Sequence, residues 1–223
     1  MHIIKEERQQ ASVTIEPWVV TAETTQALLG LIMETWGGNY ADPISVACES
    51  HYMAHCLRRT TTGFVAREDG RIVGVCLVGG MTNGRRSDNV AWAERESHLM
   101  RILESIPWEG NRIHQSLACV REEDSIANSA SIASLRPDAE VVLLVVEANR
   151  RRRGIGRRLV GEVRRVAKRR RWNTLFLVTD TDCDWKAYEG WGFARVASMP
   201  SPSDLGCLRM AYAFTPDMMP ITT

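Results

Sequence analysis

The sequence predicts an α/β fold, a mixed central sheet flanked by helices, and three observations carry that prediction. Residues 140–146 are an almost unbroken run of Val and Leu, as a strand buried on both faces requires. They lead through an Arg/Gly loop into a helix whose apolar face is Leu159, Val160, Val163, Val166 and Ala167, and then into another apolar run at 174–179. Earlier in the chain, the apolar runs 63–67 and 72–78 flank Glu68-Asp69-Gly70-Arg71, and Asp-Gly is the preferred centre of a tight hairpin turn.

The remaining elements follow from caps and periodicity. Residues 12–16 alternate as a short strand does. Thr21 is placed to cap a helix in which Leu28, Leu29, Ile32, Met33 and Trp36 recur at helical spacing, with Gly37 and Gly38 ending it. Asp42-Pro43 supplies an N-cap and a proline at the first helical position for a second helix, which carries Val46, Met53 and Ala54 to about Leu57. From 81 to 139 the chain turns polar and helical. Asp88 is the expected cap of a helix over 89–105, Pro107 a breaker, 116–120 a weak further helix and 125–134 a Ser/Ala-rich stretch. This stretch reads as a helical insertion before the buried strand, in a single domain spanning 1–223. Beyond 179 come an Asp-rich turn (Asp180, Asp182, Asp184), a short helix ending near Gly190, and strands around 193–197 and 208–214.

The 223 residues suffice for a core of their own, and a hydrophobic fraction of 44% with 25% charged residues is that of an ordinary globular protein. The net charge of +1 hides an asymmetry: residues 150–171 hold twelve Lys and Arg against one acid, Glu162. Such a concentration is a footprint for a polyanion. Six cysteines without a CxxC pair fit reduced thiols rather than a disulfide framework or a zinc ribbon. The N-terminal stretch lacks the apolar core of a signal peptide, and no apolar run approaches the ~20 residues that span a bilayer. A cytoplasmic protein with no membrane partner is expected.

A strand running into a glycine loop and a helix makes an anion cradle, because the first helical N–H groups are unpaired and the macrodipole adds positive potential. Spacing discriminates among the nucleotides. A Rossmann fingerprint needs a third glycine where Leu159 stands, and a P-loop needs Gly-Lys-Ser/Thr, which is absent. The string Arg151-Arg152-Arg153-Gly154-Ile155-Gly156 instead resembles the (Gln/Arg)-x-x-Gly-x-(Gly/Ala) signature of the GNAT superfamily of N-acetyltransferases. Tyr188-Glu-Gly-Trp-Gly192-Phe193 resembles that family's second signature, Tyr-x-x-x-Gly-Phe. The resemblance covers roughly 12–80 and 140–214 and leaves the insertion unexplained. It implies a GNAT-type acyl-CoA N-acyltransferase fold with acetyl-CoA as cosubstrate. Backbone N–H groups from about Arg152 to Arg157 would hold the pyrophosphate, the arginine side chains would add charge, and Val145 and Val146 would meet the pantetheine and thioester end. The proline that often precedes the loop is Ala148 here, so the loop entry is less rigid.

Acetyl transfer needs a neutral amine, a donor for the developing oxyanion and a proton for the departing thiolate. By the same resemblance Tyr188 is the expected acid, and Glu140, eleven residues before Arg151, the expected base. Bland readings stand beside these. The arginines can be a solvated helix face or a nucleic-acid contact, Tyr188 a core aromatic, Glu140 only the start of a strand. His51 and His55, four apart with Cys48 one turn earlier, have a spacing that can bind metal, but no Glu stands between the histidines as in a zinc protease. They are read as a half-exposed helix face, and no metal is expected. Asp180, Asp182 and Asp184 lack the offsets of a calcium loop and read as a turn open to a cationic substrate. Trp18, Trp36, Trp92 and Trp108 are assigned to packing. The expected activity is transfer of acetyl to a primary amine, small molecule or peptide, by direct attack in a ternary complex. An acetyl-CoA sensor without catalysis, or a basic nucleic-acid-binding module, is the alternative; nucleic acid is not the expected partner. The acceptor and a homodimer through the insertion are left open.

Overall fold

Local signals account for the first and last elements of the described residues, while the middle owes its shape to packing. The computed structural model describes residues 12–37, 40–106 and 110–215; Gly38, Pro107 and Trp108 lie outside them. Strand β1 (Thr14–Pro17) leads into α1 (Ala22–Ile32). The Thr21 hydroxyl accepts from the Thr24 amide, and the Thr24 hydroxyl oxygen accepts from the Thr21 amide. The last turn of α1 widens into a π-helical turn, Met33–Gly37, the kind of distortion often found at functional sites. α2 (Pro43–Arg59) starts on Asp42, whose carboxylate accepts from the amides of Ile44 and Ser45 at 3.1 Å. β2 (Thr62–Glu68) and β3 (Arg71–Thr82) form the expected hairpin. It turns through Asp69 and Gly70 at φ 52° and 78°, the left-handed pair that such a turn demands.

The short β4 (Arg85–Arg86) folds back on β3, and three helices follow: α3 (Val90–Ser105), α4 (Gly110–Ala127) and α5 (Ala130–Leu135). Two local expectations fail here. The cap of α3 is Asn89, which accepts from the Trp92 amide, because Asp88 is drawn instead to Arg58 at 3.0 Å. The weak helix expected over 116–120 is the middle of an 18-residue helix. Its apolar stripe is thin, but Ile113, Leu117 and Val120 fall on one face and are buried. Tertiary burial, not propensity, holds α4.

β5 (Ala139–Val146), a 3-10 turn at Ala148–Arg150, α6 (Ile155–Arg170), β6 (Leu175–Asp180), α7 (Lys186–Gly190), β7 (Ala194–Pro200) and β8 (Leu208–Phe214) complete the chain. The main path of the sheet runs β1-β2-β3-β5-β6-β8-β7, with every neighbour antiparallel except β5 and β6. Helix α6 buries Leu159, Val160 and Val163 on one face, each worth about 1.5–3 kcal/mol relative to exposure. Helices α1 and α2 cover the other face through Leu28, Ile32, Met53 and Leu57, and Ile126 and Ile132 extend that layer over Phe176 and Ala211. Among the described residues no helix is long and apolar enough to cross a membrane.

The feature that positions a site is where the parallel pair stops. Pairing between β5 and β6 runs from Ala139↔Leu175 to Val141↔Leu177 only, although β5 continues to Val146 and β6 to Asp180. The strands part toward their carboxyl ends, where ligands bind in open α/β sheets.

Candidate active site

Between the parted strands lies a cleft of about 520 Å³. One wall is the end of β5 with the loop into α6: Leu144, Val145, Val146, Arg151, Arg152, Gly154, Ile155, Gly156 and Arg157 all line it. The facing wall holds Asp182, Cys183, Asp184, Ala187, Tyr188 and Trp191, and the π-helical turn adds Thr35 and Trp36. Gly154 is the N-cap of α6 in the left-handed region, φ 80°, and no side chain caps that end. The amide of Arg158 bonds to the Gly154 carbonyl at 3.0 Å, so the N–H groups of Ile155, Gly156 and Arg157 precede the helical ladder and lie at the cleft. At Gly156 a Cβ would stand 3.0 Å from the Trp191 ring, so glycine there lets helix and aromatic wall approach. The resulting combination of unpaired amides, helix dipole and flanking arginines fits a pyrophosphate, and the apolar floor of Leu144 and Val145 fits a pantetheine arm.

The arginines are not equivalent. Arg150 and Arg153 are bound by the buried Glu68 carboxylate, Arg153 at 2.8 Å. Arg153, an expected cofactor ligand, is thereby turned away and does not line the cleft. Arg151 donates to the Val146 carbonyl at 2.9 Å and to the Thr35 hydroxyl at 3.1 Å, joining the loop to the π-helical turn. Arg150, Arg152, at φ 61°, and Arg157 complete the basic lining of the cleft.

Tyr188 sits on α7 with its ring 5.7 Å from Trp191, 6.1 Å from Phe193 and 6.2 Å from Tyr212, in edge-on or tilted contacts. Burial pushes its phenol well above the ordinary value, so it is protonated at neutral pH. Glu140 is elsewhere. It lies six residues before Val146, roughly 20 Å along the strand, is 2% exposed, and is held by Arg59 at 3.1 Å and Arg86 at 2.9 Å. The expectation of a general base there is corrected: Glu140 neutralises two arginines beneath the middle helices and does not border the cleft.

The half-exposed face expected for His51 and His55 is likewise corrected. They are 1% and 0% exposed, and His55 meets Glu96 at 2.8 Å through Nδ1. Helix α3, not legible as a neighbour of α2 in the sequence, covers them, and burial pushes both imidazoles down in pKa. Trp36, assigned to packing, is 40% exposed and lines the cleft. Among the described residues, one atom each of Asp180, Asp182 and Cys207 gather within 4.8 Å. Asp180 already accepts from the amides of Asp182 and Cys183 and pairs with Arg209, so the turn is satisfied by the chain's own donors.

Residues 108–213 match the family model described as the GNAT acetyltransferase domain. No curated protein matches the chain in sequence. Among solved structures, an aminoglycoside 6'-N-acetyltransferase complexed with coenzyme A aligns over 94% of this chain and 99% of its own, at 17% identity and a TM-score of 0.53. An agmatine N-acetyltransferase mutant aligns over 90% and 99% at 13% identity and 0.54. The ribosomal-protein-S18-alanine N-acetyltransferase of Escherichia coli aligns over 94% and 99% at 11% identity and 0.51. At such identities the likeness is one of fold. The sequence model over 108–213 and the likeness in fold thus point the same way, to a GNAT acetyltransferase domain in that stretch and a GNAT-type fold around it.

Proposed function

We propose that the protein is an N-acetyltransferase that passes the acetyl group of acetyl-CoA directly to a primary amine bound beside it. The observation that carries this reading is the cleft between β5 and β6, which joins the amide cradle at Gly154–Arg157 to a protonated tyrosine on the opposite wall. Acetyl-CoA supplies an activated acyl group. The chain's own residues hold and orient it: the α6 amides with Arg152 and Arg157 at the phosphates, and Leu144, Val145 and Val146 along the arm. Tyr188 gives its proton to the departing thiolate and recovers it as the amide loses one.

Direct transfer is favoured over a covalent acyl-enzyme by the thiol nearest the chemistry. Cys183 lines the cleft, but burial pushes it up to about 12, which leaves almost no thiolate at neutral pH. The neighbours of this fold are named for acceptors as different as aminoglycosides, agmatine and a ribosomal-protein alanine. The acceptor is therefore set by each chain's local pocket. The test is calorimetric binding of acetyl-CoA followed by thiol release against an amine and peptide panel. Binding and amine-dependent release are expected; tight binding with no release from any amine would identify a sensor instead.

A further inference from the structure

The proposed transfer needs a seat for the amine, and a second cavity of about 400 Å³ adjoins the coenzyme cleft, sharing Trp36 and Asp182 with it. This is the size of a small-molecule site. Helix α4, which lies within the stretch matching the family model but outside its two sequence signatures, supplies Arg112, Cys119 and Glu123; α2 supplies Glu49 and Tyr52. Counting Asp180, Asp182 and Asp204, five carboxylates line the cavity against two arginines. Arg209 is already matched by Glu122 at 3.1 Å and by Asp180, and Arg112 stands 3.8 Å from Glu49.

Glu123 differs from its neighbours. Its Oε1 accepts from the Tyr52 hydroxyl at 3.4 Å and faces the Cys119 thiol at 3.9 Å, and among the described residues no Lys, Arg or His stands at ion-pair distance from it. A part-buried carboxylate without a fixed counter-ion, lining the cavity beside the coenzyme cleft, is half of an ion pair. Burial pushes Glu123 and Glu49 up to about 7, the range in which a base serves at neutral pH.

We infer that this cavity takes a small amine carrying at least two positive charges, and that Glu123 receives the proton from the nitrogen to be acetylated. The inference rests on the N-acetyltransferase reading above. The ammonium gives one proton to Glu123, which later releases it to water. The freed nitrogen pair forms the new N–C bond as the C–S bond breaks, and the second proton shed by that nitrogen reaches the thiolate through Tyr188. Glu49, Asp182 and Asp204 hold the remaining positive charge. With the base on α4, the middle segment builds the acceptor side of the reaction while the signatures build the donor side.

The test compares 1,5-diaminopentane with pentylamine on the full chain, with acetyl-CoA binding measured separately. Failure to bind acetyl-CoA sinks the underlying reading. With binding intact, the diamine should exceed the monoamine in kcat/KM by about tenfold or more, because a buried charge left unpaired penalises the poorer ligand. Glu123→Gln should retain acetyl-CoA affinity, melt no lower than the parent, lower kcat by about a hundredfold at neutral pH, and abolish the acid limb expected of the parent near pH 7. Equal use of the two amines, no diamine turnover by a chain that binds acetyl-CoA, or a Glu123→Gln variant with parental kcat and acid limb would each overturn the inference and leave acetyl-CoA binding standing.

Discussion

Replacing Glu140 with alanine removes a carboxylate that is 2% exposed and that faces Arg59 at 3.1 Å and Arg86 at 2.9 Å. Arg59 is itself 2% exposed, so its charge has no access to water once the partner is gone. Breaking a buried pair by deleting one member costs about 3–5 kcal/mol. Asp124, 3.7 Å from Arg59 and 3.5 Å from Arg86, compensates in part and brings the expectation to the lower end of that range. For a chain of this length about 3 kcal/mol corresponds to a fall in melting temperature of roughly 6–12 °C. Glu140→Gln, which keeps the shape and one acceptor, should lose less. Thermal and urea unfolding read the stability, and turnover per folded molecule is measured below the transition. If the melting temperature moved by less than about 2 °C while turnover vanished with acetyl-CoA still bound, Glu140 would be acting on the acceptor and the structural assignment would be refuted.

Three further outcomes are expected. Tyr188→Phe should lower kcat by about a hundredfold or more while calorimetric acetyl-CoA affinity stays unchanged; equal losses in both would reject the acid role. Gly154→Val forces a β-branched residue into φ 80°, at a cost of about 1–2 kcal/mol, and should weaken coenzyme A binding about tenfold in calorimetry with the remaining fold intact. The raised pKa of Glu49 and Glu123 also has a stability consequence. Between the ordinary value of 4.5 and about 7 the folded chain holds their protons more tightly than the unfolded chain does, so these two groups oppose folding increasingly as pH rises through that window. A Glu49→Gln/Glu123→Gln double variant should therefore melt higher than the parent at pH 8, with the gap closing by pH 5.

Much of the donor side of the cleft is legible because it is local. Gly154, Gly156 and the apolar run before them are contiguous, and an anion cradle of strand, glycine loop and helix N-terminus is written in consecutive residues. The same holds for the Thr21 and Asp42 caps and the Asp69-Gly70 turn. Arg153 shows the limit even there. Nothing in an arginine run says which member meets Glu68, eighty-five positions earlier in the chain.

Charge and periodicity in the sequence thus determined the α/β layering, the hairpin, the buried strand and its glycine loop, since each depends on neighbours within a turn or a strand. Tertiary structure alone decided the middle segment and the acceptor side. A helix as polar as α4 becomes stable only when its thin stripe meets α2 and the sheet, and that docking brings Glu123 beside Tyr52, while α3 closes over His51 and His55. It also settled Glu140, whose eleven-residue spacing from Arg151 resembled a base but whose position at the far end of β5 gives it Arg59 and Arg86 as partners. The physical reason is one of range: backbone conformation is set by residues a few positions away, whereas the environment that makes a carboxylate a base or a buttress is assembled from segments that only folding brings together.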